Sequence, residues 1–157
     1  MGARSYFLLD NEILSTDEMI AHEIISKDEN SSLLEGKVIL VIDDNPINLS
    51  VAEKTLQKYG ANCLRTASAK EGIAEFGKKN VDLILMDLHM PIMDGFEATR
   101  RIKSSSRFLE NSVPILAYTT YPYNEVKRAI ELNGLDGYIG KPFTQTQVLD
   151  TILSVLS

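Results

Sequence analysis

The sequence predicts an α/β fold, a doubly wound five-stranded parallel sheet with helices on both faces, and three observations carry that prediction. Short apolar runs alternate with amphipathic stretches about five times between residues 37 and 157, which is the rhythm of βα units. The runs are continuous in apolar character, as expected of strands covered on both faces. At 157 residues, 44% hydrophobic and 24% charged, the chain has the composition of a soluble globular protein. Its length allows it to bury about two-thirds of its unfolded surface.

The elements follow in order. "KVILVI" is a β-branched strand, and Asn45-Pro46 sets an N-cap with proline at the first position of a helix over "PINLSVAEKTLQKYG". Ile47, Val51 and Leu56 are expected near one face of it, with Gly60 closing it. "ANCLRTA" reads as a strand, "SAKEGIAEFGKK" as a helix, "VDLILM" as a strand and "DGFEATRRIKS" as a helix. "VPILAY", "YNEVKRAIELNG", "DGYIG" and "TQTQVLDTILSVL" complete the alternation. Cys63 is the one cysteine, so no internal disulfide forms, and its apolar flanks mark it as a small hydrophobe.

The charge divides unevenly. Residues 1 to 36 hold two basic and eight acidic side chains and carry the whole net charge of −6, whereas residues 37 to 157 hold fourteen of each. That step places a boundary near Gly36, with an acidic N-terminal extension or linker over 1–36 and the main domain over 37–157. Neither part attracts nucleic acid by net charge. No apolar stretch approaches the roughly 18 residues of a membrane span, and the N-terminus lacks a signal-peptide pattern, so a cytoplasmic location away from membranes is expected. Within the extension, "ARSYFLL" reads as a strand and "STDEMIAHEIISK" as a helix, Ser15 and Glu18 forming a capping box. His22 lies in that helix without a partner that would define a site, and is read as a surface residue.

The candidate site is built from strand ends. In an open α/β sheet, ligands bind beyond the carboxyl ends of the strands. "VIDD" puts Asp43 and Asp44 at the end of the first strand of the main domain, and "LMD" puts Asp87 at the end of the third. If those strands are neighbours, three carboxylates converge, and such a group needs protons or a cation to compensate it. Carboxylate oxygens without thiolates select a hard cation, Mg²⁺ or Mn²⁺ before zinc. Thr119 ends the fourth strand and Lys141 the fifth. A carboxylate nucleophile, a hard cation, a hydroxyl and an ammonium are the parts needed to receive a phosphoryl group on an aspartate.

With "VIDDN", "LMDLHMPIMDG", "ILAYTT" and "GLDGYIGKPF" in this order, residues 37 to 157 resemble the receiver domain of two-component response regulators. The variants "DDNPIN" and "MDLHMPIMDG" are most like receivers attached to hybrid histidine kinases. The resemblance implies a flavodoxin-like (βα)₅ receiver fold with Asp87 as phosphoacceptor. It further implies Mg²⁺ held by Asp44, Asp87 and the backbone carbonyl of His89, and by Asp43 through water. Thr119 and Lys141 would hold the phosphoryl group, and Tyr138 would be the aromatic residue that turns inward on activation. The donor would be a histidine kinase or a histidine phosphotransfer protein. A downstream protein would read the face formed by the fourth helix, fifth strand and fifth helix of the repeat. The extension is then a candidate kinase-tail remnant, and no DNA-binding output domain is expected after "VLDTILSVLS".

Three other classes fit less well. A haloacid-dehalogenase-type phosphatase would resemble an Asp-x-Asp pair, but the residue two after Asp87 is His89, which removes its general acid. A flavodoxin-like electron carrier needs a phosphate-cradling loop where Asp43 and Asp44 would repel a flavin phosphate. A non-phosphorylated interaction module on the same scaffold would be expected to have lost part of the acid, Thr and Lys set, which is complete. One departure from the family concerns Thr120, since the residue after the switch Thr is usually small. With the His89 side chain, Thr120 is expected to flank the approach of water to a phosphoryl group on Asp87. Either the bulk restricts hydrolysis, or the polar groups assist it; obstruction is the expectation, because it needs only volume.

Overall fold

The computed structural model describes residues 6–9, 12–15 and 31–156. Two short strands, β1 (Tyr6–Leu9) and β2 (Glu12–Ser15), pair antiparallel with Tyr6 opposite Ser15. The strand expected in "ARSYFLL" is thus found, and β2 is an addition to it. The expected helix after Ser15, with Glu18 and His22, lies outside the described residues.

From Val38 the chain follows the expected alternation: β3 (Val38–Ile42), α1 (Pro46–Lys58), β4 (Asn62–Thr66), α2 (Ala69–Lys78), β5 (Leu83–Met86), α3 (Gly95–Lys103), α4 (Ser106–Glu110), β6 (Ile115–Thr119), α5 (Tyr123–Leu132), β7 (Gly137–Gly140) and α6 (Gln145–Leu156). The five strands β3 to β7 form one parallel sheet in the order β4-β3-β5-β6-β7. Alternation along β3 sends Ile39 and Val41 to one core and Leu40 and Ile42 to the other. The first core packs Leu49 and Leu56 of α1 with Val148 and Ile152 of α6. The second packs Phe76 of α2, Ile102 of α3 and Ile130 of α5. Helices therefore cover both faces, and the doubly wound prediction holds.

Local sequence signals explain the helix ends. Asn45 caps α1, its side-chain oxygen accepting from the Ile47 and Asn48 amides at 2.9 and 3.3 Å, and Pro46 takes the first position. Ser68 and Asp94 cap α2 and α3 in the same way. The buried stripe of α1 differs from the expected one. Leu49, Ala52, Thr55 and Leu56 face the core, while Ile47 and Val51 are 72% and 46% exposed. At about 100° per residue, Leu56 lies opposite Ile47 on the helix and cannot share its face. The short α4 was not expected; Ser105 starts it by accepting from the Phe108 amide at 3.3 Å. Leu34, just before the charge boundary, is fully buried in the α1–α6 core, and its amide donates to the Tyr59 carbonyl at 2.8 Å.

One glycine ties the fold to the strand edge. A Cβ on Gly95, the first residue of α3, would lie 2.2 Å from the Asp87 carbonyl oxygen and 2.9 Å from the Leu88 Cα. Both atoms are backbone and cannot swing aside. Gly95→Ala is expected to destabilise the protein by about 2 kcal/mol or more and to displace the Asp87 loop. Urea denaturation, together with amide chemical shifts of residues 86 to 90, would measure both effects.

Candidate phosphoryl-acceptor site

The strand order puts the switch point of the sheet between β3 and β5, because the chain leaves β3 toward β4 and returns to its other side as β5. In the parallel register Ile42 stands opposite Met86, so Asp43 and Asp87 leave adjacent strands at the same level. Backbone bonds hold that level: the Asp87 amide donates to the Ile42 carbonyl at 2.9 Å and the Asp43 amide to the Thr66 carbonyl at 3.1 Å. The condition set by the sequence, that the two acid-bearing strands be neighbours, is met.

Asp43 is completely buried and Asp87 nearly so, whereas Asp44 is exposed. Oxygens of the three carboxylates lie within 4.8 Å of one another. Lys141 joins them from the end of β7, its Nζ 2.6 Å from Asp43 Oδ2 and 3.7 Å from Asp87 Oδ1. Only 8% of that lysine side chain is exposed. Its backbone is pinned as well, the amide donating to the Thr119 carbonyl at 2.8 Å. Asp43 Oδ1 accepts from the Asn45 amide at 2.8 Å, and Asp87 Oδ1 from the His89 amide at 3.2 Å. Burial pushes the Asp87 carboxyl well above the usual carboxylate range, to about 7; Lys141 opposes that rise, and the neighbouring Asp43 adds to it.

The remaining expected residues lie around the same edge. Thr119 ends β6, fully buried, and its hydroxyl accepts from the Tyr121 amide at 3.1 Å. Thr120 and His89 are exposed. Tyr138 on β7 donates its hydroxyl to the Tyr121 carbonyl at 2.6 Å, and its ring packs at 5.1 Å from that of Tyr123. Two tyrosines were given no contact with the site residues from sequence, although Tyr121, in Tyr121-Pro122-Tyr123, stands out there as an aromatic departure from the family. Tyr121 meets the His89 imidazole, its hydroxyl 2.9 Å from Nδ1 and the rings edge to face. Tyr118 lies beneath Lys141, the ammonium 4.2 Å from its ring centroid. Tyr118 stands immediately before Thr119, on the opposite side of the strand. Between the acid-bearing strand and α3, Ile92 is fully exposed with φ +72°, a costly conformation for a β-branched residue, of the kind that concentrates at functional loops.

The donor set fits a hard divalent cation. Its oxygens are close together, two of the three acids are buried among apolar strands, and among the described residues no cysteine or histidine side chain belongs to the cluster. No helix of the described residues is long and apolar enough to cross a membrane.

Parallel strands ordered around a switch point, with two buried acids, a buried lysine and a threonine at one edge, are the arrangement of a receiver domain of two-component systems. The chain belongs to the response regulator receiver domain family, whose model matches residues 39–153. Its curated relatives include Probable histidine kinase 6 of Oryza sativa subsp. japonica, 36% identical over 77% of this chain, and Histidine kinase 2 of Arabidopsis thaliana, 38% identical over 78%. Sensor protein GacS of Pseudomonas syringae pv. syringae is 32% identical over 73%. The aligned region makes up only 14%, 12% and 13% of those three proteins. Among solved structures, Vibrio cholerae chemotaxis protein CheY4 superposes with a TM-score of 0.71 at 31% identity, covering 76% of this chain and 98% of that one. The receiver domain of sensor histidine kinase PA1611 from Pseudomonas aeruginosa PAO1, with magnesium in its active-site cleft, gives 0.70 at 28% identity, covering 77% and 98%. The receivers of hybrid histidine kinases, indicated by the sequence motifs, are thus among its relatives, and the flavodoxin-like (βα)₅ fold is that of CheY.

The position of Asp87 has a consequence for stability. An unfolded aspartate titrates near 3.9, so between about pH 4 and 7 the folded, metal-free protein keeps a proton that the unfolded chain has lost. Stability from this group is therefore present at low pH and lost as pH rises through the folded value. Asp87→Asn is expected to raise the melting temperature by several degrees at pH 8, with the gain shrinking toward pH 4. Thermal melts of both proteins in a chelator across that range would show it.

Proposed function

We propose that Asp87 accepts a phosphoryl group from the phosphohistidine of a histidine kinase or a histidine phosphotransfer protein, in a Mg²⁺-dependent reaction. The observation that carries this reading is the meeting of Asp87 with a buried ammonium and two further acids at the switch point. An Asp87 carboxylate oxygen attacks phosphorus, the O–P bond forms, the P–N bond breaks, and its electron pair stays on the departing imidazole. Lys141 compensates charge on a phosphoryl oxygen, and the Thr119 hydroxyl donates to another. Asp44, Asp87 and the His89 backbone carbonyl would hold the metal, with Asp43 contributing through water; bound Mg²⁺, or Mn²⁺ in its place, supplies positive charge against the phosphoryl oxygens. The protein acts on its own aspartate and on no free substrate.

Signal leaves through a change of surface. Tyr121 bonds the Thr119 hydroxyl through its amide and the Tyr138 hydroxyl through its carbonyl, so movement of Thr119 toward a phosphoryl group is passed to Tyr138. The responding face is α5, β7 and α6, where a downstream protein binds. Thr120 and His89 flank the phosphoryl group and slow its hydrolysis. Residues 37–157 act as the receiver, and residues 1–36 as an acidic extension.

Incubation with acetyl phosphate and Mg²⁺, followed by intact mass measurement, is expected to show one added phosphoryl group that is absent in Asp87→Asn. An unchanged mass in the unmodified protein would refute the assignment. For the metal, Asp44→Asn should weaken Mg²⁺ binding strongly, because it removes a direct ligand, and Asp43→Asn should weaken it less. Titration followed by amide shifts would distinguish them, and equal losses would contradict the division into direct and water-mediated acids.

A further inference from the structure

We propose that Tyr118 is a positioning residue for Lys141, its ring face forming the floor on which the ammonium is held as it moves from Asp43 to the phosphoryl group. The proposal rests on the phosphoacceptor reading of Asp87. Leu116 and Tyr118 share the side of β6 that faces the α1–α6 core. Tyr118 is 1% exposed and lies in that core, with Phe143 packed against its ring at a centroid distance of 5.6 Å. A strand residue so placed needs only to be apolar to fill the core. A tyrosine there adds a quadrupole, and its negative face is turned to the Lys141 ammonium at 4.2 Å.

The ammonium has need of such a surface. It sits in a site almost closed to water, bonded at 2.6 Å to Asp43. To neutralise a phosphoryl oxygen it must loosen that bond. In a dry pocket, an ammonium between partners loses attraction with little water to replace it. A carboxylate or carbonyl would hold it at one point, whereas a ring face attracts it without a single acceptor atom and so tolerates lateral movement. The phenol remains neutral, since burial and then the charges of Asp43 and Asp87 push its ionisation far upward. The face, and not the hydroxyl, is therefore the working part, and phenylalanine should replace tyrosine while leucine should not.

Two readouts on the whole chain test this. In the metal-free protein, the ring current should shift the Lys141 Hε protons upfield in the unmodified chain and in Tyr118→Phe, and those protons should return toward coil values in Tyr118→Leu. With Mg²⁺ present, affinity for beryllofluoride should be unchanged in Tyr118→Phe and about fivefold weaker in Tyr118→Leu; Tyr118→Met serves in its place if the leucine variant does not fold. Equal weakening in the phenylalanine and leucine variants would reduce Tyr118 to core packing and overturn the proposal. A coil-like Lys141 shift in the unmodified chain would overturn it whatever the phosphorylation result. Failure of the functional reading looks different: the unmodified chain would keep its shifted Lys141 protons yet take up neither phosphoryl group nor beryllofluoride, and the role in phosphoryl transfer would fall with it.

Discussion

The structure depends on balancing negative charge at one edge of an apolar sheet. Asp43 and Asp87 are both buried, with oxygens within 4.8 Å. At that separation two carboxylates repel by on the order of 3 kcal/mol even with substantial dielectric screening. Lys141 provides the opposing charge and does so while nearly excluded from solvent. A site held in this way is only partly compensated: the lysine bonds Asp43 and offsets some of the charge on Asp87, and any further cation must share the acids with it. Asp44 differs from the other two in being exposed, and so extends the acidic edge toward solvent.

The fold supplies the positions, and the loops supply the chemistry. Parallel register between β3 and β5 sets two acids level, while β6 and β7 bring Thr119 and Lys141 from the next two strands. Close backbone packing of α3 on the Asp87 carbonyl, made possible by Gly95, sets where the loop after Asp87 runs. Gly140 serves the far end of the same edge, since a Cβ there would lie 2.9 Å from the Tyr138 hydroxyl. Stability and site geometry are thus set by the same contacts.

Much of this was legible in the sequence because it is local or periodic. Asn45-Pro46, Ser68 and Asp94 announce helix starts in their own neighbourhoods, and uninterrupted runs such as "VILVI" and "LILM" announce covered strands. The acids, Thr119 and Lys141 were found because each ends a strand. The face of α1 was misread, since spacing must be converted to angle before residues are grouped: Ile47 and Leu56 lie half a turn apart. The helix α4 was missed because five residues give too short a pattern to register. Leu34 entered the core unannounced, as a tally of charge is blind to one apolar side chain. The roles of Tyr118 and Tyr121 were hidden for another reason. Their partners, Lys141 and His89, are distant in sequence, and nothing local to "YTTY" says which side chains the topology will bring against it.

Tyr121 engages three neighbours through three different groups: its amide reaches Thr119, its carbonyl receives the Tyr138 hydroxyl, and its phenol meets His89. Two of those links belong to the main chain, which every amino acid except proline can reproduce in full. The connection between Thr119 and Tyr138 is therefore indifferent to the side chain at 121, while the tie to His89 depends on it wholly. Such a division lets heritable variation at one position retune the rim of the site without disturbing the main-chain bonds that run beneath it.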